Sequence, residues 1–317
     1  MNYIIFDLEW NQSPRGKDGE NKKIPFEIIE IGAVKVDDRG NIIDEYSSII
    51  RPKVYKDIHY KIHEITGFSM YDLKKGRRFT DAASGFLEWC GDDYMLCTWG
   101  SIDITELQRN MAFYHMPLLK APVYYFDLQK AFSIQFKDGK ASRSLESAVE
   151  QLGIPIGPDF HRASDDAYYT ALVFNKLDKK IVEHYFSIDY YQNPKNIEDE
   201  ITVTFDTYSK YISREFDFKS DAMEDKNVLS TICYKCGRRT KRKIRWFSDN
   251  AKIYYCLANC PEHGYIKGKI RMKKSSNDKY FIVKTLKLTD EEGALSIKKR
   301  QLDIRNKRKA KKANSDQ

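Results

Sequence analysis

The stretch Tyr3-Ile4-Ile5-Phe6-Asp7-Leu8-Glu9-Trp10 constrains this chain more than any other. An apolar run that ends in alternation reads as a strand, and residues two apart on a strand share a face. Asp7 and Glu9 therefore point the same way, with Leu8 on the opposite side. Adjacent anions on one sheet face repel each other and resist desolvation, while hard divalent cations prefer oxygen ligands. The pair asks for Mg²⁺ or Mn²⁺ if other ligands complete the cage. Standing alone, Asp-x-Glu would be no more than a solvated strand end.

Two later segments supply candidates for that cage. Leu96-Cys97-Thr98-Trp99-Gly100-Ser101-Ile102-Asp103 is a short apolar segment running into a glycine turn, and Ile104-Thr105-Glu106-Leu107 behind it looks helical. Asp103 sits at that junction, where a helix cap is the ordinary reading. His161-Arg162-Ala163-Ser164-Asp165-Asp166 then enters a strongly helical stretch. Helical positions five apart point about 140° away from each other. His161 and Asp166 can share a site only if His161 lies on the loop before the helix. From there a histidine can approach a reacting water as general base. The spacing alone leaves Asp165 and Asp166 open as the ligand, and a capping or surface role open for His161.

The ordered set Asp7-x-Glu9, Asp103 and His161 with Asp166 resembles the DEDDh 3′-to-5′ exonucleases of the ribonuclease-H-like superfamily. The wording of Phe6–Trp10, Glu27–Val34, Trp99–Asp103, Ser144-Leu145-Glu146 and His161-Arg162-Ala163 is most similar to the enhanced-RNAi and KapD-type branch. The resemblance covers roughly the first 180 residues. It implies that Asp166 rather than Asp165 is the ligand. It also implies that Asp7, Glu9, Asp103 and Asp166 hold two Mg²⁺ or Mn²⁺ ions, and that His161 and Glu9 are the catalytic residues. The implied reaction is in-line hydrolysis of the terminal phosphodiester with release of nucleoside monophosphates. Leu8, Trp10 and Trp99 are candidate substrate contacts, because aromatic rings stack on terminal bases. Core packing is the competing reading for both tryptophans.

The coarse pattern agrees with that fold. Tyr3–Phe6, Phe26–Val36 and Glu45–Ile50 read as successive strands of a meander, Thr80–Cys90 as a helix and Tyr94–Thr98 as a strand. Helices around Leu107, Leu128, Leu145 and Leu172 complete an α/β domain, a ribonuclease-H-like mixed sheet flanked by helices, over residues 1–180. The polar insertion from Gln12 to Ile24 reads as a mobile loop beside the site.

Composition shifts beyond residue 180. Residues 1–180 carry 24 lysines and arginines against 27 acids, whereas 181–317 carry 30 against 19, which accounts for the net charge of +8. Residues 181–229 read as an acidic, structured connector in which the alternating run Ile201–Phe205 could form a strand. Residues 230–290 read as a small zinc-ribbon β domain: Cys233-Tyr234-Lys235-Cys236 and Cys256-Leu257-Ala258-Asn259-Cys260 would form two knuckles around one structural Zn²⁺, with His263 able to replace Cys260. Cys90 and Cys97 fall in apolar segments and read as core. Basic residues interleaved with aromatics around Arg238–Phe247 and Lys267–Lys274, followed by a basic tail over 291–317 that is either disordered or a helix ordered by phosphate, suit a nucleic-acid surface.

These features predict a cytoplasmic enzyme acting on single-stranded nucleic acid, with RNA or a ribonucleoprotein as the preferred partner. No stretch approaches the ~18 apolar residues of a membrane span, and acidic residues break the opening segment too early for a secretory signal. A DNA exonuclease of repair or proofreading would use the same five residues. A non-catalytic adaptor would be expected to have lost some of them.

Overall fold

The computed structural model describes residues 1–136, 143–157, 161–275 and 277–315. The chain divides into two compact units, Met1–Gln192 and a second from Asn193 onward.

In the first unit β1 (Asn2–Gln12), β2 (Phe26–Val36) and β3 (Ile42–Ile49) form the expected antiparallel meander. Helices α1 (Tyr60–Thr66), α2 (Met70–Lys74) and α3 (Phe79–Cys90) lead to β4 (Tyr94–Thr98), α4 (Ile102–Phe113) and β5 (Tyr124–Asp127). Helices α5 (Leu128–Phe136), α6 (Leu145–Gln151), α7 (Ala163–Phe174) and α8 (Lys179–His184) and the short β6 (Ser187–Ile188) close the unit. The sheet order is β3-β2-β1-β4-β5-β6, with β4 parallel to both β1 and β5. It is the mixed sheet, flanked by helices, that the sequence predicts.

Strand alternation builds a core on each face. Ile4, Phe6 and Leu8 pack with Phe86 of α3 and Leu107 of α4. Tyr3 and Ile5 pack with Phe132 of α5 and with Ala171 and Phe174 of α7. Burying a large apolar side chain is worth about 1.5–3 kcal/mol. A one-residue slip of β1 would put Asp7 where Phe6 lies, so the register is strongly specified. Asp7 and Glu9 continue the Tyr3–Ile5 row past the end of the apolar core. Cys90 and Cys97 are buried core residues.

The insertion after β1 is tied down rather than a free loop. Ile24 is fully buried, and the Tyr55 hydroxyl donates to its carbonyl at 3.0 Å while accepting from the Asn21 N–H at 3.1 Å.

The second unit contains β7 (Ile201–Thr204), β8 (Tyr208–Ile212), α9 (Lys219–Glu224), α10 (Lys226–Leu229), β9 (Lys241–Asn250), β10 (Ile253–Cys260), β11 (Gly264–Lys274), β12 (Tyr280–Leu288) and α11 (Glu291–Ser315). Its strands form one sheet in the order β7-β8-β12-β11-β10-β9. The expected 181–229 connector is therefore not a separate piece. Its beginning belongs to the first unit through α8 and β6, and its remainder supplies β7 and β8. Strand β8 pairs with β12, Ile212 opposite Val283, a long-range pairing that leaves no local mark in the sequence. The tail is helical through Ser315, with residues 316 and 317 outside the described set. Asp290 caps it, its carboxylate accepting from the Gly293 N–H at 2.8 Å. Ala294 and Ile297 pack against Leu257 of β10.

Candidate active site

Asp7 lies opposite Gly32 in the β1–β2 ladder, and Glu9 lies opposite Glu30. Gly32 decides what can approach. A Cβ built there would stand 2.1 Å from the backbone of Ala163 and of Ser164. Only glycine lets the first turn of α7 lie against β2 at that point, and the approach carries Asp166 to the carboxylates of β1. Oxygen atoms of Asp7, Glu9 and Asp166 fall within 4.8 Å of one another. Asp165, in the same turn, stays outside the group.

Asp103 is nearly buried, on the first turn of α4. The N-cap of that helix is Ser101, so the cap reading does not describe Asp103. Its carboxylate accepts from its own N–H and from the Leu8 N–H, and its charge acts on Asp7.

The electrostatics are those of crowded anions. Burial, reinforced by Asp103, Asp166, Glu9 and Glu30, holds the Asp7 carboxyl well above the usual range. Burial, then Asp166, Glu30 and Asp103, push Glu9 up to about 8. Burial lifts Asp103 to about 7. Burial also raises Asp166 to about 6, against the opposing pull of His161 and its backbone N–H. One buried oxygen of Asp166, Oδ1, has no hydrogen-bond partner. Three converging carboxylates that resist ionisation, with an unsatisfied oxygen among them, fit a hard divalent cation.

His161 is exposed and precedes the helix, as its spacing from Asp166 requires. Its φ of 78° puts a non-glycine residue in the left-handed region, which persists only where the surroundings hold it. The holding group is Glu30, which sequence reasoning missed. Glu30 has no exposed surface, and its carboxylate accepts from Arg162 Nε at 3.1 Å, Arg162 Nη2 at 2.6 Å and the Ala163 N–H at 3.0 Å. The guanidinium also lies over the Phe68 ring, 4.4 Å from its centroid. The available signal was a charged residue inside the apolar run Ile28-Ile29-Glu30-Ile31.

The expected substrate contacts fare differently. Leu8 is 3% exposed and part of the core, so its side chain offers no binding surface; strand alternation turned it away from the carboxylates. Trp10 is half-buried against Phe26. Trp99 is half-buried, edge-on to Phe132, with its indole N–H donating to the Arg143 carbonyl at 3.0 Å.

In the second unit Cys233, Cys236, Cys260 and His263 gather within 4.8 Å. Cys236 Sγ and Cys260 Sγ stand 3.7 Å apart, and His263 Nδ1 lies 3.6 Å from Cys233 Sγ and 3.7 Å from Cys260 Sγ. Two sulfurs each about 2.3 Å from a tetrahedral zinc would be roughly 3.8 Å apart, so the cluster fits that ion. Burial opposes it, yet the His263 ring and the N–H groups of Glu262 and His263 bring the Cys260 thiol down to about 6.

Cys256 does not join them, which corrects the expected four-cysteine site. His263 takes the place of Cys256, not of Cys260. Residues 256–260 are extended β10 rather than a knuckle, and four residues of strand span about 13 Å. Cys256 is buried under Gly268, where an added Cβ would meet its Sγ at 2.5 Å. Burial pushes its thiol up to about 12.

Among the described residues no helix is long and apolar enough to cross a membrane. A family model described as RNase_T, Exonuclease, matches residues 4–174. A PolC-type DNA polymerase III from Thermotoga petrophila is 31% identical over 213 residues, 58% of this chain but 15% of the polymerase. A probable 3′-5′ exonuclease, KapD, from Bacillus subtilis is 27% identical over 187 residues, 57% of this chain and 87% of KapD. The nuclease domain of 3′hExo, a DEDDh family member solved with rAMP, superposes with a TM-score of 0.50 at 18% identity, covering 59% of this chain and 96% of that domain.

Proposed function

The chain belongs to the RNase_T exonuclease family, and on that premise we propose that it is a 3′-to-5′ exonuclease releasing nucleoside 5′-monophosphates from single-stranded 3′ ends, with RNA as its substrate. The convergence of Asp7, Glu9 and Asp166 beside Asp103 carries this reading. Two Mg²⁺ or Mn²⁺ ions, when bound, polarise the phosphodiester and make water acidic enough to be a nucleophile. Asp7, Glu9 and Asp166 would hold one, and Asp7 with Asp103 would hold the other. His161, exposed on its loop, takes the proton from the attacking water at a ring nitrogen. Glu30 and Arg162 set the backbone from which that ring projects. Trp10, next after Glu9 on β1, and Trp99, on the segment leading to Asp103, are the half-buried rings offered to the terminal nucleotide.

In the second unit Cys233, Cys236, Cys260 and His263 would hold one structural Zn²⁺, and basic side chains of its β-sheet bind the nucleic acid. A thiol cluster of this kind suits the reducing cytoplasm. An adaptor without activity is disfavoured. A scaffold has no physical reason to keep four acids whose burial raises every one of their pKa values.

A DNA substrate is the second reading, favoured by the 31% identity to the PolC-type polymerase. Matched 5′-labelled single strands of RNA and DNA separate the two. Faster shortening of RNA from the 3′ end supports the proposal, and faster shortening of DNA replaces it with repair or proofreading.

A further inference from the structure

Strands β7, β8, β10, β11 and β12 contain no aspartate or glutamate at any position. Their cations are sorted by face. On β11, Ile270 and Met272 turn towards Ala222 of α9 and Val228 of α10, so Lys267, Lys269, Arg271 and Lys273 line the opposite face. Lys287 lies directly opposite Lys267, and Lys210 of β8 lies opposite Thr285, itself opposite Lys269. Like charges facing each other across a ladder destabilise a sheet. A surface selected for stability alone would put a carboxylate in one of those places.

Several cations away from this face stand beside carboxylates. Lys274 pairs with Asp278, Lys279 with Asp217, and Arg238 with Glu262. Lys284, on the covered face, is buried and donates to the carbonyls of Asn227 and Ser230. Helix α11 packs on the β10 side of the basic face, with Ala294 and Ile297 against Leu257, which lies opposite Lys267. Its Arg300 lies over Tyr255, 4.8 Å from the ring centroid, and Lys269 approaches the same ring at 5.6 Å.

We propose that this face is a track for the phosphates of a single-stranded nucleic acid, formed by Lys267, Lys269 and Arg271 of β11 with Lys287 of β12. Alternate residues of a strand stand about 7 Å apart, so an extended polyanion lying along β11 meets one cation after another. The identity of the polyanion rests on the exonuclease reading; the track itself rests on the sorted charge.

The test uses the full chain carrying Asp7→Asn, so that the strand survives, and measures binding of a single-stranded RNA across salt concentrations. One variant adds Lys267→Gln, Lys269→Gln and Arg271→Gln. A control removes the same charge from exposed positions on α11, Lys298→Gln, Lys299→Gln and Arg305→Gln. Zinc content and Tm verify that both fold. Each phosphate contact contributes about 0.7 to the slope of log affinity against log salt. The β11 variant is expected to lose about 2 from that slope, so that its affinity falls roughly 15- to 20-fold less than the parent's between about 50 and 200 mM salt. The control keeps the parental slope. Equal losses in both variants, or none in the β11 variant, overturn the track. Hydrolysis of a dinucleotide by the protein with Asp7 intact reports on the nuclease reading separately. Loss of slope without any cleavage keeps the track and removes that reading, and cleavage with an unchanged slope does the reverse.

Discussion

Arg162 and Glu30 are joined by two side-chain hydrogen bonds, of 2.6 and 3.1 Å, between a fully buried carboxylate and the residue that directly follows His161. The pair ties β2 to the entrance of α7, and so sets where the proposed general base can be.

Glu30→Gln keeps the shape but loses the charge-assisted contacts, worth about 2 kcal/mol. The expected result is a kcat reduced about 10- to 100-fold, a much smaller change in KM, and an unaltered Mn²⁺-induced rise in Tm. A proportionate loss of metal binding would mean that Glu30 acts on the carboxylates instead.

His161→Ala removes only the proton acceptor. Its kcat is expected to fall about 10²- to 10⁴-fold, with Mn²⁺ affinity by calorimetry unchanged. Full activity in this variant would remove His161 from the mechanism.

The raised carboxyls predict an unusual pH dependence for the metal-free protein. A group whose pKa is higher folded than unfolded stabilises fully below the unfolded value and loses that contribution as pH rises through the folded one. For Glu9 the window runs from the ordinary carboxylate range to about 8. Without metal, Glu9→Gln should match the parent in Tm near about pH 4 and exceed it by a few degrees near about pH 8.5. Excess Mn²⁺ should reverse the order at the higher pH. An equal difference at both pH values would contradict the electrostatic account.

Removing Cys256 separates the cluster found from the one expected. Cys256→Ala should retain one zinc per chain, at a cost of about 1 kcal/mol for the small void beside Gly268 and Trp246. Cys260→Ala and His263→Ala should lose zinc and destabilise the second unit. Zinc loss in Cys256→Ala would restore the four-cysteine reading.

The legible part of this protein is what short-range geometry dictates. Strand period 2 put Asp7 and Glu9 together, and the 140° offset sent His161 to a loop, and both placements match the structure. The same alternation argued against Leu8 as a ligand contact, since its side chain had to enter the core. What the sequence hid depends on distant partners. Cys256-x-x-x-Cys260 looks alike as a knuckle or as strand, and only pairing with β11 makes it strand. Residues 208–212 read as connector because β8 finds its neighbour in β12. Glu30 was visible as a charge in an apolar run, but its role required Arg162 to be brought across the sheet.

The most direct measurement follows a 5′-labelled single-stranded RNA with the parent and with Asp7→Asn, with and without Mn²⁺, while calorimetry counts the bound cations. The account predicts a metal-dependent ladder shortening from the 3′ end in the parent. It predicts no ladder and weakened cation binding in Asp7→Asn, whose zinc content and fold stay intact. Shortening that continues without divalent cation, or that survives Asp7→Asn, would contradict the assignment of these carboxylates as the catalytic centre.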